Sequence, residues 1–409
     1  MSRRNGPRGL SRRKLLVGVA GGLGATALGA EDKRPLVPDD TTKLQGPPPT
    51  EIGERSPFVK PRRLVMRAEP SSGSRTPLQD LRGIITPSDL HFERHHAGIP
   101  RIDPERYSLL IHGMVERPTV FSLSDLERFP ATSRLYFLEC SGNGGEALRD
   151  PREDMTPQQI DGLTSTSEWT GVPLALLLRE VGALAEARWF LAESMDAAVM
   201  TRSIPMGKAW EDAMIAYAQN GEPLRPENGY PVRLFLPGWE GNANVKWLRR
   251  IELSDRPFFT REETSKYTDP VPGGKARMFT FDMDAKSIIT FPAYPQRLTD
   301  TGYWEIRGIA WSGRGVITRV ELSVDGGQSW QDAELQEPVL PKCHTRFRML
   351  WNWQGQPATL VSRATDETGS VQPTTEEFRR VRGEGTRYHF NHLRAWRVQK
   401  DGKVVFTPA

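Results

Sequence analysis

An apolar run ends in a glycine-rich turn at residues 135–145, which read Leu135-Tyr136-Phe137-Leu138-Glu139-Cys140-Ser141-Gly142-Asn143-Gly144-Gly145. This pattern predicts a buried strand that opens into a tight turn. Cys140 stands where the strand ends, and it is one of only two cysteines in the 409 residues. Glycines in such a turn let another group approach the backbone closely. Cys140 is therefore a candidate metal ligand or nucleophile, and a buried small apolar residue is the alternative.

The other cysteine, Cys343, is distant in the chain, so neither belongs to a Cys-x-x-Cys zinc or redox motif. For the same reason the chain has no Cys-x-x-Cys-His motif for haem attachment. The spacing of the two cysteines does not suggest a disulfide either. If Cys140 binds a metal, it does so as a single soft ligand.

Short strands alternate with short helices around the Cys140 turn. Strands are predicted at 107–114, 135–139, 188–191 and 232–236, and helices after the capping residue Ser122 and over 173–181. Beyond a proline-rich joint at 269–274 the pattern is almost purely β. Residues 304–311 alternate with period two, and residues 320–324 lead into a hairpin signal at 325–330. Closely spaced short strands of this kind predict a sandwich of immunoglobulin type.

We therefore predict an α+β chain with four parts. They are a signal peptide at 1–30, a linker or surface strap at 31–80, a mixed domain at 81–268 and a β-sandwich at 275–400. The linker prediction rests on composition, because residues 31–80 are rich in proline, glycine and charge without a sustained period.

The first 30 residues have the pattern of an export signal. Basic residues that include the pair Arg12-Arg13 precede a weakly apolar stretch, which is too short to span a bilayer and ends in small residues. The arginine pair resembles the twin-arginine signal, which exports folded proteins. We expect a periplasmic protein with no stable membrane span after the leader is removed. The leader also carries the excess basic charge behind the formal net charge of +4, so nucleic acid is not an expected partner.

Three further segments carry the side chains of a candidate anion site. Residues 91–96 contain three of the chain's seven histidines together with Arg94. Arg233 begins an apolar strand, and a loop of glycines and asparagines at 237–245 leads to Lys246. Backbone donors in such a loop, with Arg and Lys pointing inward, form a cradle for an anion. Taken singly, each segment is also compatible with a solvated loop.

The order of these motifs resembles the sulfite oxidase family of mononuclear molybdenum enzymes. The motifs are Arg94-His95-His96, Cys140-Ser141-Gly142-Asn143, Gly229-Tyr230-Pro231-Val232-Arg233 and Val245-Lys246-Trp247-Leu248. The similarity covers about residues 80 to 400 and is strongest to bacterial Sox-type sulfite and sulfane dehydrogenases, for which the run Phe92-Glu93-Arg94-His95-His96 is typical. It implies a mixed molybdopterin-binding domain, then an immunoglobulin-like dimerisation domain, and hence a homodimer.

The resemblance also implies roles for individual residues. Cys140 matches the thiolate that binds molybdenum, and a soft sulfur anion suits a metal that also carries the dithiolene sulfurs of a pyranopterin. The residues that match the pterin-binding set are His96, Asp196, Ser203, Asn228, Arg233 and Lys246. Arg94 matches the arginine that faces the substrate. Trp169 matches a tryptophan of the substrate pocket, and Tyr267 matches the tyrosine beside the metal.

Two departures from the family pattern bear on the site. Animal members follow the cysteine turn with two arginines, whereas this chain has Gly144 and Gly145. We therefore expect a less positive and more open pocket, which admits a bulkier substrate such as sulfane sulfur on a carrier-protein cysteine. Asn228 replaces a pterin-binding histidine of the animal enzymes by a neutral donor. The substrate arginine from the C-terminal part of the family is assigned neither to Arg387 nor to Arg394.

The resulting hypothesis is a periplasmic molybdenum oxidoreductase that oxidises sulfite or sulfane sulfur by oxygen-atom transfer. Arg94 would hold the substrate anion, because a guanidinium grips two oxygens and keeps its charge. Since the chain has no haem attachment motif, we expect electrons to pass to a separate c-type cytochrome. One alternative is a nitrate reductase-like activity, which the lack of attached haem and flavin domains disfavours. Another is an exported binding or assembly protein without the metal.

Overall fold

The structure, a computed structural model, describes residues 45–271 and 273–409. The chain divides into two compact units, residues 1–61 and residues 62–409, and the described strands and helices all belong to the second unit. The predicted leader at 1–30 lies outside the described residues. In the part of the chain that the structure describes, no helix is long and apolar enough to cross a membrane.

The second unit begins with a mixed domain of three sheets and short helices. Its strands are β1 (Leu64–Arg67), β2 (Ser72–Arg75), β3 (Glu93–His95), β4 (Ser108–Gly113), β5 (Thr119–Ser122), β6 (Thr132–Glu139), β7 (Thr164–Pro173), β8 (Trp189–Ser194), β9 (Thr201–Pro205), β10 (Met214–Gln219), β11 (Glu222–Pro223), β12 (Arg233–Phe235) and β13 (Leu248–Ser254). Its helices are α1 (Leu123–Glu127), α2 (Gly145–Arg149), α3 (Pro157–Asp161), α4 (Leu174–Glu180), α5 (Met206–Glu211) and α6 (Arg261–Thr264).

These strands pair mostly in antiparallel fashion. The sheet orders are β1-β2-β3, then β11-β10-β7-β6 with β12 also beside β10, and β5-β4-β13-β8-β9. Within these sheets only β4 and β13 run parallel. An antiparallel majority, with helices that do not serve as regular crossovers, is the α+β arrangement that the sequence predicts.

The remainder of the unit is a β-sandwich. Its elements are the hairpin β14 (Asp269–Val271) and β15 (Lys275–Arg277), then β16 (Lys286–Phe291), β17 (Gly302–Trp311), β18 (Ile317–Ser323), β19 (Gln331–Asp332), β20 (Glu334–Gln336), β21 (Thr345–Trp353), β22 (Ala358–Asp366), α7 (Thr375–Arg382), β23 (Arg394–Val398) and β24 (Val404–Pro408). The sheets β16-β17-β21-β20 and β19-β18-β22-β23-β24 share one buried cluster, which includes Ile306, Phe347, Leu360 and Trp396. The predicted sandwich is therefore confirmed.

Local sequence signals explain where the helices begin. The side chain of Ser122 accepts a hydrogen bond from the backbone N–H of Asp125, and the Asp125 carboxylate accepts one from the backbone N–H of Ser122. This reciprocal capping box starts α1. Helix α4 follows Pro173 and buries Leu174, Leu177 and Leu178, which lie on one face at helical spacing.

Part of the predicted linker is folded. Strands β1 and β2 lie within 31–80, and Leu78 is buried in the core that the sandwich shares. Composition misses β2 because its sequence, Ser72-Gly73-Ser74-Arg75, is not apolar. The segment is a strand because it pairs with β3. The two strands lie so close at Gly73 that a Cβ there would be 2.6 Å from the carbonyl oxygen of Glu93. The prediction of a linker is thus wrong for residues 64–80. Strands β1 and β2 of this segment form a small sheet with β3, the strand that contains Arg94.

A glycine contact holds the loop at 237–245 against the sandwich. A Cβ on Gly238 would lie 2.2 Å from the carbonyl oxygen of Gly313, and a Cβ on Gly313 would lie 2.0 Å from that of Gly238. The backbone N–H of Met283 donates to the Gly238 carbonyl at 3.0 Å. Gly238 also has a φ of +79°, which side-chain-bearing residues rarely adopt. Neither glycine has room for a side chain.

We expect Gly238→Ala to lower the free energy of unfolding by about 2–4 kcal/mol, because it adds left-handed backbone strain to overpacking. Urea denaturation followed by tryptophan fluorescence measures the change. The matched control is Gly207→Ala within α5, where a Cβ meets nothing within 4 Å. That variant should gain up to about 1 kcal/mol. Equal effects at the two positions would contradict this account of the loop.

Candidate functional site

A cleft lies in the mixed domain beside the end of β6. The predicted site residues that line it are Arg94, His96, Cys140, Asp196, Asn228, Arg233, Lys246 and Tyr267. Segments that are far apart in the chain supply them, because the ends of β3, β6, β8 and β12 and the loop before β13 converge at this point. The structure thus brings together most of the residues that the sequence nominated.

Cys140 is half-buried at the mouth of β6. Its backbone N–H donates to the Leu163 carbonyl at 3.0 Å, and its carbonyl accepts from the Asn143 N–H at 2.9 Å, which closes the turn. Gly241 allows the neighbouring loop to lie close by, since a Cβ there would be 3.3 Å from the Cys140 Cα. Burial raises the pKa of the Cys140 thiol, so a bound cation is needed to hold it as a thiolate at neutral pH.

The second cysteine has a structural position. Cys343 is buried, and its Sγ donates to the Leu135 carbonyl at 2.8 Å. Burial raises the pKa of this thiol to about 12. Cys343 does not line the cleft, and it therefore serves as a natural comparison for Cys140.

His96 and Tyr267 meet across the cleft, with 2.8 Å between His96 Nε2 and the Tyr267 hydroxyl. Burial, and then the charge of Arg94, lowers the pKa of His96 to about 4, so the imidazole is neutral near pH 7. Burial raises the pKa of Tyr267, so its phenol keeps its proton. The phenol can therefore donate to the imidazole. Tyr267 also has a φ of +46°, a conformation unusual for an aromatic residue.

Lys246 is anchored by three acceptors. Its Nζ donates to the Arg94 carbonyl at 3.1 Å, to His95 Nδ1 at 2.8 Å and to the Glu227 carbonyl at 2.9 Å. His95 Nε2 lies 2.7 Å from a carboxylate oxygen of Glu93, so the neutral ring carries its proton on that nitrogen. Burial, and then the charge of Arg233, lowers the pKa of Lys246. All three of its donors are used by the protein, so in this arrangement Lys246 ties together the segments of Arg94, His95 and Glu227.

Arg233, which lines the cleft, has one buried donor without a partner among the described residues. Its Nη1 donates to the Asn228 carbonyl at 2.9 Å and its Nη2 to the Asn244 carbonyl at 3.0 Å. The Nε is buried and has no hydrogen-bond partner among the described residues. Burial lowers the pKa of Arg233 to about 9, which still leaves it charged at neutral pH. Asn228 is itself held, because its Nδ2 donates to Gln219 at 3.0 Å.

Arg94 and Asp196 complete the rim. The Arg94 Nη1 donates to the hydroxyl of Ser71 and to the carbonyls of Ser72 and His95, so the small sheet β1-β2-β3 sets its position. Asp196 lies in the loop after β8 and accepts from the Met200 N–H at 3.2 Å. Three basic residues, Arg94, Arg233 and Lys246, and three acidic residues, Glu93, Asp196 and Glu227, line the cleft. An anionic ligand would therefore bind through individual cations of the cleft.

Two predicted site residues lie outside the cleft. Trp169 is fully buried behind Arg233, stacks on Phe235 at 4.5 Å between ring centroids and donates to the Tyr136 carbonyl. Ser203 is also fully buried, and its hydroxyl accepts from the Phe258 N–H at 3.0 Å. The substrate-pocket role of Trp169 and the pterin role of Ser203 are therefore corrected to packing and hydrogen bonding in the interior.

The expected opening at Gly144 and Gly145 is absent. A Cβ on Gly144 would lie 2.2 Å from Nη2 of Arg394, and one on Gly145 would lie 2.7 Å from the Phe390 ring. Neither glycine lines the cleft. Arg394 and Phe390 fill the space beside the two glycines, so these glycines do not open the cleft itself. Arg394 does not line the cleft and pairs with Asp161, so the expectation of a less positive pocket that admits a bulkier substrate stays a prediction.

Sequence reasoning missed two groups that shape the site. His95 and Glu93 hold Lys246. The cluster of histidines at 91–96 is the sequence signal that could have identified this pair. Arg202 is fully buried under Tyr267, 5.4 Å from its ring centroid, and forms ion pairs with Glu240 at 3.0 Å and Glu263 at 2.9 Å. No pattern in the sequence distinguishes Arg202 from a surface arginine of a strand.

The donor set fits a molybdopterin cofactor. Arg233 Nε is a buried donor without a partner among the described residues, and Arg233 lines the same cleft as Cys140. No cluster of three or more His, Cys, Asp or Glu that could hold a metal occurs among the described residues. A metal at Cys140 would then take its other ligands from the dithiolene of such a cofactor. Arg233, Lys246, His96 and Asn228 would surround its phosphate and pterin.

Comparison with known proteins agrees with this site. Residues 96–262 match the family model "Oxidoreductase molybdopterin binding domain", and residues 277–395 match "Mo-co oxidoreductase dimerisation domain". The chain is 31% identical over 318 residues to mitochondrial sulfite oxidase of Mus musculus, covering 72% of this chain and 58% of that protein. It is 31% identical over 322 residues to nitrate reductase [NADH] 2 of Phaseolus vulgaris, covering 68% of this chain and 35% of that protein.

A solved structure is similar over nearly its whole length. The sulfane dehydrogenase SoxCD from Paracoccus pantotrophus superposes with a TM-score of 0.82 at 42% identity, covering 90% of this chain and 98% of that chain. By contrast, the chain spans little more than half of the mouse relative and about a third of the bean relative. The chain belongs to the Sox-type branch of the sulfite oxidase family, whose cofactor is molybdopterin-bound molybdenum.

Proposed function

We propose that this protein oxidises sulfur in sulfite or in a sulfane by transfer of an oxygen atom at molybdopterin. The observation that carries the proposal is one cleft in which Cys140 lies with Arg94, Arg233 and Lys246. Oxidation of sulfite takes one water and releases sulfate, two protons and two electrons. When bound, molybdopterin supplies a metal that exchanges an oxygen atom and two electrons with the substrate.

Each residue of the cleft has a separate role in the proposed reaction. Cys140 would hold the metal, and Arg233 and Lys246 would lie beside the anionic cofactor. Arg94 orients the substrate anion, because its backbone position is set by β2 and its guanidinium stays charged. The Tyr267 hydroxyl and His96 Nε2, 2.8 Å apart, hold a proton beside the reacting centre.

A sulfane is the favoured substrate class, with sulfite as the second. The support for it is the likeness to a sulfane dehydrogenase at 42% identity, against 31% to a sulfite oxidase. Nitrate reductases are also among the relatives, so nitrate reduction is the competing activity. A binding or assembly protein without the metal is the non-enzymatic alternative. Molybdenum content and turnover of sulfite, thiosulfate and nitrate by the purified protein separate these possibilities.

We also propose a homodimer that acts in the periplasm and passes electrons to a c-type cytochrome. The dimer is supported by the dimerisation-domain match at 277–395. The leader with Arg12-Arg13 supports export of the folded protein by the twin-arginine route. We expect sulfite- or thiosulfate-dependent reduction of an added c-type cytochrome by the purified protein. Failure of every candidate cytochrome to be reduced by an enzyme active with an artificial acceptor would contradict the cytochrome assignment.

We expect Cys140→Ser to keep the fold and to lose nearly all activity with sulfite, because a hydroxyl does not replace a soft thiolate ligand. Circular dichroism, molybdenum content and steady-state kinetics measure the effects. Cys343→Ser is the matched control, since it changes the same atom in a thiol that only donates to a carbonyl. Wild-type activity in Cys140→Ser would show that the ligand assignment is wrong.

We expect Arg94→Met to raise KM for sulfite about tenfold or more, which corresponds to about 1.4 kcal/mol of lost binding. Arg94→Lys should fall between this variant and the wild type, because an ammonium keeps the charge without the fork. Arg101→Met at an exposed position nearby in the chain is the control and should behave as wild type. An unchanged KM in Arg94→Met would contradict the substrate role.

A further inference from the structure

Four charged side chains are buried together beneath the Cys140 turn. Glu139 ends β6 and Asp161 ends α3, whereas Lys286 begins β16 and Arg394 begins β23. Their exposed fractions are 0%, 0%, 2% and 1% respectively. The two carboxylates therefore come from the mixed domain, and the two cations come from the sandwich.

The contacts pair every charge in this cluster. Lys286 Nζ lies 2.9 Å from Glu139 Oε1 and 2.7 Å from Asp161 Oδ1. Arg394 Nε lies 3.1 Å from Asp161 Oδ2. The indole of Trp311, also from the sandwich, donates to Glu139 Oε2 at 2.6 Å. Burial tends to raise the pKa of Asp161, but Arg394 and Lys286 together bring it below its ordinary value.

The cluster is connected directly to the turn through Asn143. Asn143 Nδ2 donates to Glu139 Oε1 at 2.9 Å, and its N–H closes the turn on the Cys140 carbonyl at 2.9 Å. Its Oδ1 accepts from the Leu163 N–H at 3.0 Å, and its carbonyl accepts from Lys286 Nζ at 3.3 Å. Lys286 thus contacts both the carboxylate that precedes Cys140 and the residue that closes the turn.

Other contacts confine the same turn from the remaining sides. The His389 N–H, also from the C-terminal part, donates to the Ser141 carbonyl at 2.7 Å, and Asn242 donates to the Ser141 hydroxyl at 3.0 Å. Gly144 is required because any Cβ there would meet the Arg394 guanidinium. These contacts and close approaches hold the Cys140 turn from several sides.

We propose that the sandwich domain positions the Cys140 thiol, with Lys286 and Arg394 as the positioning residues, in addition to any part it has in dimerisation. This inference rests on the proposed role of Cys140 as the metal ligand. Removing Lys286 leaves Glu139 short of its cation and removes a contact to Asn143, so the turn relaxes. Misplacement of a ligand by a fraction of an ångström lowers turnover more than substrate binding.

The test compares Lys286→Met with Arg363→Met. Arg363 pairs with the buried Glu321 at 2.9 Å in the sandwich, where Arg319 also pairs with Glu321 at 3.1 Å. Arg363 touches neither the turn nor the cleft, so its loss is the control for an ion pair removed away from the site. X-ray absorption at the molybdenum edge reports the sulfur ligands of the metal. Steady-state kinetics report kcat and KM, and sedimentation reports the dimer.

We expect Lys286→Met to lower kcat about tenfold or more with KM within about twofold of wild type, and to lengthen or lose one metal–sulfur contact. Arg363→Met should lose thermal stability but keep kcat and the sulfur shell. Both should remain dimers. The inference is overturned if Lys286→Met leaves kcat and the sulfur shell unchanged. It is also overturned if Arg363→Met changes kcat and the sulfur shell as much as Lys286→Met does.

If Lys286→Met does not accumulate as folded protein, the double variant Glu139→Gln with Lys286→Met carries the test. It leaves no unpaired charge, because Asp161 keeps Arg394. The same drop in kcat and the same change in the sulfur shell support the inference, and wild-type values overturn it. Cys140→Ser separates the two proposals: if it leaves the sulfur shell unchanged, the ligand assignment itself fails. If Cys140→Ser changes the sulfur shell but the Lys286 variants leave kcat and the sulfur shell unchanged, the positioning role alone fails.

Discussion

The turn that presents Cys140 depends on the mutual neutralisation of buried charges. Glu139 and Asp161 would be strongly destabilising in this interior without a cation, because an uncompensated charge in a low-dielectric environment is costly. Lys286 and Arg394 provide the compensation at distances of 2.7–3.1 Å. Since the carboxylates belong to one domain and the cations to the other, neither domain provides the environment of the turn alone.

Most buried polar groups of the cleft above this turn are also paired, and those without a partner among the described residues are Arg233 Nε, His91 Nε2 and Asn242 Oδ1. Lys246 is held by three acceptors and His95 lies between Lys246 and Glu93, so these buried groups are neutralised within the protein. Arg233 keeps one buried donor without a partner among the described residues. An unsatisfied buried donor is costly unless a ligand uses it, which is consistent with an anionic cofactor.

The sequence predicted the elements and most of the cleft well, because the signals were local. Alternation over 304–311 and the capping box at Ser122 depend on neighbouring residues only, and both appear in the structure. Cys140 was identified by its glycine turn. Strand β2 was missed because its pairing with β3, rather than its composition, makes it a strand. Trp169 was misplaced because a motif match carries no information about the direction of a side chain.

Sequence by itself determined the fold class, the family resemblance and the identity of the residues that converge on the cleft. Tertiary structure alone decided what surrounds them. Gly144 looks like an opening in the sequence, yet the Arg394 guanidinium occupies that space from 250 positions further along the chain. The physical reason is that burial, charge pairing and steric exclusion are properties of residues brought together from distant parts of the chain. No local pattern records such contacts.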